Sequence, residues 1–183
     1  KAETVIVGTD ERLVTLFQRS FPEAIIQGVA RYTANGETRV HDFKWLEKYP
    51  SVDFFVLQGS LARFFRPSIE SFPSVSKRLF GDPYRLKYWS QKLAKLGPGK
   101  KVGVSWRSHI VDRQSSCYPG LPLWQPLFDV KDVHFINLQA GVTPQEVKMM
   151  RDSFGVKITI FGEIDLIENL DDMAALCGSL DGV

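Results

Sequence analysis

The sequence predicts an α/β protein made of two successive strand–helix patterns. Three observations carry this prediction. Short β-branched runs open each pattern, Thr4-Val5-Ile6-Val7-Gly8 in the first and Lys101-Val102-Gly103-Val104 in the second. Stretches with apolar residues at helical spacing separate these runs from further apolar ones, the arrangement of parallel-sheet units. The break Leu96-Gly97-Pro98-Gly99-Lys100 then divides the patterns, which places the domains at residues 1–97 and 98–183.

Taken in order, Thr4–Gly8 is a buried strand, and Asp10-Glu11-Arg12 opens a helix, with Asp10 as cap and Glu11 in the first turn. Leu13, Leu16, Phe17 and Phe21 form its apolar stripe and Pro22 stops it. Ala24–Val29 is the next strand, completing a strand–helix–strand unit. Ala34-Asn35-Gly36-Glu37 is a turn signal, and Phe43–Lys48 is a short helix. Val52–Leu57 is expected as a strand ending at Gln58-Gly59-Ser60-Leu61. Residues 64–83, rich in Pro, Ser and Phe, are expected as an extended loop held down by aromatics. Tyr84–Leu96 is a helix with Leu86, Trp89, Leu93 and Leu96 on one face. In the second half, Val102–Trp106 is a strand, Leu121–Phe128 a short helix and Val133–Leu138 a strand. Pro144–Phe154 is a helix capped by Thr143 with Glu146 in its first turn. Val156–Phe161 is a strand, Leu170–Leu180 a helix begun by Asp171 and Asp172, and Asp181-Gly182-Val183 the first step of another strand. Both halves are therefore Rossmann-like.

Composition narrows the function classes. The 183 residues carry a formal net charge of +2, too small a balance to argue for nucleic acid or an anionic membrane surface. No apolar run approaches the ~18 residues of a membrane span. The start, Lys1-Ala2-Glu3-Thr4, is neither a signal peptide nor an initiator Met, and is expected to be an internal boundary or a processed end. Cys117 and Cys177 lack metal-ligand spacing and read as unpaired thiols of a cytoplasmic protein. Gly8-Thr9-Asp10 matches neither the dinucleotide fingerprint nor a P-loop, which discounts NAD enzymes and P-loop NTPases.

The candidate site follows the strand rule of open α/β sheets, in which ligands sit beyond the carboxyl ends of strands. Ser105, Arg107 and Ser108 occupy that place after Val102–Val104, and Gln139 occupies it after Val133–Leu138. The motifs Gly103-Val104-Ser105-Trp106-Arg107-Ser108, Leu123-Trp124-Gln125-Pro126-Leu127, Val133–Gln139 and Asp171–Leu176 occur in an order that carries a family resemblance. Asp10–Pro22, Gly59-Ser60-Leu61, Phe65-Arg66-Pro67-Ser68 and Tyr88-Trp89 extend it over most of the chain. The pattern resembles bacterial tetratricopeptide-repeat-associated glycosyltransferases, similar to the heptosyltransferase and protein O-GlcNAc transferase families.

The resemblance implies an incomplete GT-B arrangement and a fragment of a glycosyltransferase. Such an enzyme moves a sugar from a nucleotide-sugar donor to a protein or glycan hydroxyl, with inversion and without metal or other cofactor. It implies Ser105 and Arg107 near the donor diphosphate, Gln139 facing the nucleotide, and Gly59 and Ser60 facing the acceptor or sugar. An arginine fork suits two phosphate oxygens of a leaving group. Two departures accompany it. Relatives continue into a Thr-containing loop that holds the donor phosphates, whereas this sequence ends at Val183. Relatives also often carry His-x-Pro where Val56-Leu57-Gln58 stands, which leaves the general base unassigned.

Plainer readings stand beside these. His41, His109 and His134 include no placed catalytic partner, and His134 alternates with apolar neighbours as a core or surface histidine does. Arg107 reads equally as a solvated charge. Trp106 and Trp124 read as core, Asp171 and Asp172 as helix N-terminal charges, and Lys92, Lys95, Lys100 and Lys101 as a solvated face. The alternative function is a non-catalytic α/β module binding a nucleotide or a protein.

Overall fold

The computed structural model describes residues 2–29, 31–34, 38–41, 43–49, 51–72, 79–108 and 118–183, with backbone alone for 31–34 and 38–41. The turn at Asn35–Glu37, His109 and Cys117 lie outside the described residues, as do residues 73–78 of the expected aromatic loop. The chain is mixed α/β and divides into two compact units, Lys1–Leu79 and Phe80–Val183.

In the first unit β1 (Ile6–Asp10) pairs in parallel with β2 (Ile25–Val29), with Ile6 opposite Ile25 and Asp10 opposite Val29. Between them a 3₁₀ turn (Glu11–Leu13) leads into α1 (Val14–Ser20). The Asp10 carboxylate accepts the Arg12 N–H at 3.0 Å, the cap expected of it, and is also gripped by the Arg12 guanidinium. Leu16, Ala24, Ile26 and Val29 are buried, so the strand–helix–strand unit forms as expected. β3 (Arg31–Ala34) and β4 (Thr38–His41) form an antiparallel hairpin, and a 3₁₀ segment (Lys44–Lys48) follows. Its Trp45 ring lies where a Cβ on Gly8 would come within 2.9 Å.

Residues 52–57 form no strand. A strand needs a neighbour to satisfy its N–H and C=O groups, and among the described residues none pairs with this stretch. Phe54 and Phe55 are 93% and 73% exposed. Helix α2 (Gln58–Phe65) replaces the expected strand end, and its Leu61, Phe64 and Phe65 recur at helical rather than alternating spacing. A 3₁₀ turn at Ile69–Ser71 follows.

The second unit is better packed. α3 (Pro83–Ala94) starts at the Asp82 cap with Pro83 in its first turn. It belongs to this unit: Gly81 sits on the Ala175 backbone, and the Ser179 hydroxyl donates to the Leu86 carbonyl at 3.2 Å. β5 (Lys100–Val104) pairs in parallel with β6 (Val133–Asn137). A 3₁₀ turn (Leu121–Trp124) and α4 (Gln125–Phe128) connect toward β6. α5 (Pro144–Phe154) starts at a Thr143–Glu146 capping box and ends at Gly155 with φ +67°. α6 (Leu170–Gly178) starts at Asn169, whose side chain accepts the Asp172 N–H.

Single parallel bridges extend the pair at both edges, Thr159 beside Ile136 and Gly182 beside Val102. The expected strand at 156–161 and the expected strand start at 181–183 are thus present as bridges rather than full ladders. The order across the sheet is Thr159, β6, β5, Gly182, all parallel. Alternation on β6 separates two cores. Phe135 joins Val104, Trp106, Phe128, Met150 and Ile158 on the face of α4 and α5. Ile136 joins Trp89, Leu93, Leu138, Ala175 and Leu176 on the face of α3 and α6. The parallel pair is covered on both faces, and the apolar side chains it sends inward are Val102 and Val104 from β5 and Phe135 and Ile136 from β6. Each fully buried Leu, Ile or Met here contributes roughly 1.5–3 kcal/mol.

The plainer sequence readings are settled locally. His134 Nε2 lies 2.6 Å from the Pro98 carbonyl, tying β6 to the turn before β5. Lys100 pairs with Asp181, and the Lys101 ammonium donates to the Gly97 and Gly99 carbonyls. Cys177 is a half-buried free thiol whose pKa burial raises.

Packing at Gly81 is testable. A Cβ there would meet the Ala175 Cα at 2.7 Å, backbone that cannot swing aside. Gly81→Ala is expected to cost about 1–3 kcal/mol in urea unfolding. Gly59, with open space around its Cβ position, serves as control. Gly59→Ala is expected to be neutral or to stabilise by up to ~1 kcal/mol through helix propensity.

Candidate functional site

The residues after β5 are drawn together by one buried amide. Gln139, 2% exposed, turns its side-chain oxygen onto the 105–107 loop. That oxygen accepts the Trp106 N–H at 3.1 Å, the Arg107 N–H at 3.0 Å and the Ser105 hydroxyl at 3.2 Å. Its amide nitrogen donates to the Ala140 carbonyl at 2.8 Å. Asn137 braces the same turn, donating to the Gln139 carbonyl and accepting the Gln139 N–H. Gln139, expected to face a nucleotide, uses its amide oxygen to shape the 105–107 loop and also lines the cleft beside it.

Arg107 is equally committed. Its Nε donates to Glu146 Oε1 at 2.6 Å and its Nη2 to Oε2 at 2.9 Å, a two-pronged pair with both side chains mostly shielded. Nη2 also reaches the Gly141 carbonyl at 2.8 Å, and Nη1 the Ser108 carbonyl at 3.3 Å. Glu146 additionally accepts the Trp106 indole N–H at 2.9 Å and the Thr143 N–H at 2.8 Å. The fork from Arg107, joined by the Trp106 and Thr143 donors, outweighs burial and holds the Glu146 carboxyl down to about 2. The same pairing raises the Arg107 pKa. The structure therefore brings Ser105, Arg107, Ser108 and Gln139 together at the carboxyl ends of β5 and β6. Glu146 completes the group.

Beside this group an open cleft of about 510 Å³ is lined by Asn137, Gln139 to Val142, and Ile160 to Ile167. Its far wall is shaped by Asp165, whose Oδ1 accepts the N–H groups of Ile167 and Glu168. Those bonds hold the Asp165 carboxyl below its usual value. Among the described residues no group of three His, Cys, Asp or Glu side chains converges as a metal site.

Gly59 and Ser60 do not lie at a strand end. They form the first turn of α2 in the first unit, where the Ser60 N–H bonds to the Leu57 carbonyl at 2.9 Å and both residues are exposed. Two participants were missing from the sequence reading. Glu146 was assigned to a helix start, and the Thr-x-x-Glu pattern gave that start but not the second use of the carboxylate. The 160–167 wall lies mostly between the strand expected at 156–161 and the helix expected at 170–180, a stretch to which the sequence reading gave no role.

Glu146 makes a pH prediction. Its folded pKa lies below the ordinary 4.5, so the stability it confers is complete above about pH 4.5 and is lost as pH falls toward about 2. The difference corresponds to at most about 3 kcal/mol. Glu146→Gln should lower stability at pH 7, and the gap from the parent protein should close by pH 2–3 in denaturant titrations. A gap of constant size across this range would remove the Arg107–Glu146 pair from the acid response.

Among known proteins the chain is similar to protein FlbA of Caulobacter vibrioides, 34% identical over 177 residues. The match covers 96% of this chain and 29% of FlbA, so the chain spans less than a third of that protein's length. No family model matches, and no solved structure matches. The resemblance to tetratricopeptide-repeat-associated glycosyltransferases is thereby corrected: the chain is similar to protein FlbA, and no glycosyltransferase family model or solved structure matches it. Among the described residues, no helix is long and apolar enough to cross a membrane.

Proposed function

We propose that residues 80–183 bind a nucleotide-sugar donor and are part of a glycosyltransferase acting on a protein or glycan hydroxyl. The observation that carries this reading is the strand order. Numbered along the chain, β5, β6, Thr159 and Gly182 stand in the order 3-2-1-4, all parallel, with helices on both faces. In doubly wound sheets of this order, ligands bind beyond the carboxyl ends at the point where the order reverses. Here that point lies between β5 and Gly182, and the loop 105–108 stands over it. The finer fold assignment, a Rossmann-like half of an incomplete GT-B arrangement, is part of the same proposal.

In the proposed reaction the acceptor oxygen forms a bond to the anomeric carbon on the face opposite the leaving group, as the carbon–oxygen bond to the diphosphate breaks. The acceptor proton passes to a base, and the nucleoside diphosphate leaves with the electron pair. Ser105, Ser108 and Arg107 are the groups proposed to meet the diphosphate.

A second reading is favoured by a specific observation. The Arg107 fork is occupied by Glu146, so among the described residues this guanidinium at the strand ends is already paired. A module that binds a nucleotide or a protein without transferring sugar needs no such cation.

Calorimetric titration with uridine, adenosine, guanosine and cytidine diphosphates tests the proposal. Binding of one of them, weakened by about 1.5–3 kcal/mol in Arg107→Ala, supports it. Glu146→Gln discriminates further, because releasing the fork should tighten diphosphate binding while lowering thermal stability. Absence of binding by all four sinks the donor reading. Binding by the full-length protein without donor hydrolysis or sugar transfer selects the non-catalytic module.

A further inference from the structure

Each wall of the cleft is fastened by a cation. The near wall, Gln139 to Val142, is held by Arg107 through Glu146 and the Gly141 carbonyl. The far wall, Ile160 to Ile167, is held from α3. Lys92 forms an ion pair with Glu163, and the Tyr88 hydroxyl donates to Glu163 Oε1 at 3.0 Å. The Lys92 ammonium also lies 5.6, 5.7 and 5.1 Å from the ring centroids of Tyr88, Trp89 and Phe161. Phe161 itself packs on Trp89 at 5.2 Å.

The post to which this wall is tied is rigid. Trp89 is fully buried, and Arg85 of the same helix grips Asp172 through two bonds of 2.7 and 2.6 Å. The wall follows directly on the Thr159 bridge to the sheet. Its internal bonds, from Asp165 to Ile167 and Glu168, give it shape but do not fix it to the body. Phe161 and Ile164 supply apolar attachment, and Glu163 supplies directional attachment through its ion pair with Lys92 and its hydrogen bond from Tyr88.

We infer that Lys92 is a positioning residue, which through Glu163 and the three rings fixes the far wall and thereby sets the affinity for the nucleotide part of a donor that extends from the 105–108 loop past Gln139 into this cleft. This inference rests on the nucleotide reading for its ligand, but not for its effect on the wall. An ion pair with both partners roughly one-third exposed adds little to global stability. A merely structural role therefore predicts small effects everywhere, whereas a positioning role predicts local loosening and weaker binding with the melting temperature preserved.

Hydrogen–deuterium exchange of the whole chain, with and without Lys92→Met, tests the wall directly. Met keeps the apolar stem and removes the charge. Amides of residues 160–167 are expected to exchange at least about fivefold faster while those of α3 and β6 stay unchanged. Lys92→Arg should restore the parent rates, and Glu163→Gln should reproduce the loosening. In parallel, whichever of the four nucleoside diphosphates binds the parent protein should bind Lys92→Met about five- to tenfold more weakly. Unchanged exchange in 160–167, or affinity within twofold of the parent, overturns the inference. If the parent binds none of the four, the nucleotide reading fails and the exchange result alone decides whether Lys92 holds the wall.

Discussion

The second unit depends on a carboxylate placed three residues inside a helix start and gripped by an arginine fork and a tryptophan N–H. It occurs twice. At α5, Glu146 accepts Arg107 and the Trp106 indole. At α6, Asp172 accepts Arg85 and the Trp89 indole, the latter at 2.6 Å. The two sites lie on opposite faces of the sheet, one among each core. In both, the negative charge sits where unpaired helix N–H groups and the helix dipole favour it. Burial of Asp172 opposes its ionisation, yet the Arg85 and Trp89 hydrogen bonds hold its carboxyl below the ordinary value. Because removing one member would leave a shielded charge unmatched, each clamp fixes its helix to a defined partner rather than merely near it.

These clamps explain how a small parallel sheet is organised. β5 and β6 are short, and their outer neighbours make single bridges. Ladder hydrogen bonds alone would define such a sheet weakly. Packing makes up the difference: Phe135 and Ile136 send adjacent side chains into opposite cores. Gly103 has no side chain because Leu138 and Leu180 fill the space a Cβ would occupy. The helices that close these cores are the ones carrying Glu146 and Asp172. Polar clamp and apolar core therefore specify the same arrangement, which is the consistency expected of a sequence with one folded answer.

Much of this was legible in the sequence where pattern and propensity agree. The capping box at Thr143, the stripe Leu86–Trp89–Leu93 and the apolar runs of β1, β2, β5 and β6 each announce an element through local physics. Residues 52–57 show where that fails. Their apolar composition satisfies the strand rule, but a strand exists only with a partner, and composition does not supply one. Gly59 and Ser60 were misplaced for the same reason, since their position was inferred from that strand. The roles of Gln139, Arg107 and Glu146 were hidden differently. The sequence marks them as polar residues near strand and helix ends, but the choice between facing a ligand and facing each other depends on contacts 32 to 39 residues apart along the chain.

That choice bears on how such a site can work. A fork fully occupied by a carboxylate cannot also grip a diphosphate, so ligand binding at the strand ends requires one of two arrangements. Either Arg107 exchanges Glu146 for phosphate, leaving Glu146 with the Trp106 and Thr143 donors that already surround it, or the phosphates meet other groups while Arg107 keeps the loop in shape. The first is plausible energetically because Glu146 would retain hydrogen bonds from Trp106 and Thr143 and would not be stranded. The second assigns Arg107 the task already visible for Gln139, which supports the loop from beneath. In both cases the loop over β5 is built by its neighbours in the fold before any ligand arrives. Preorganisation of that kind is what permits a shallow, open cleft to select its ligand.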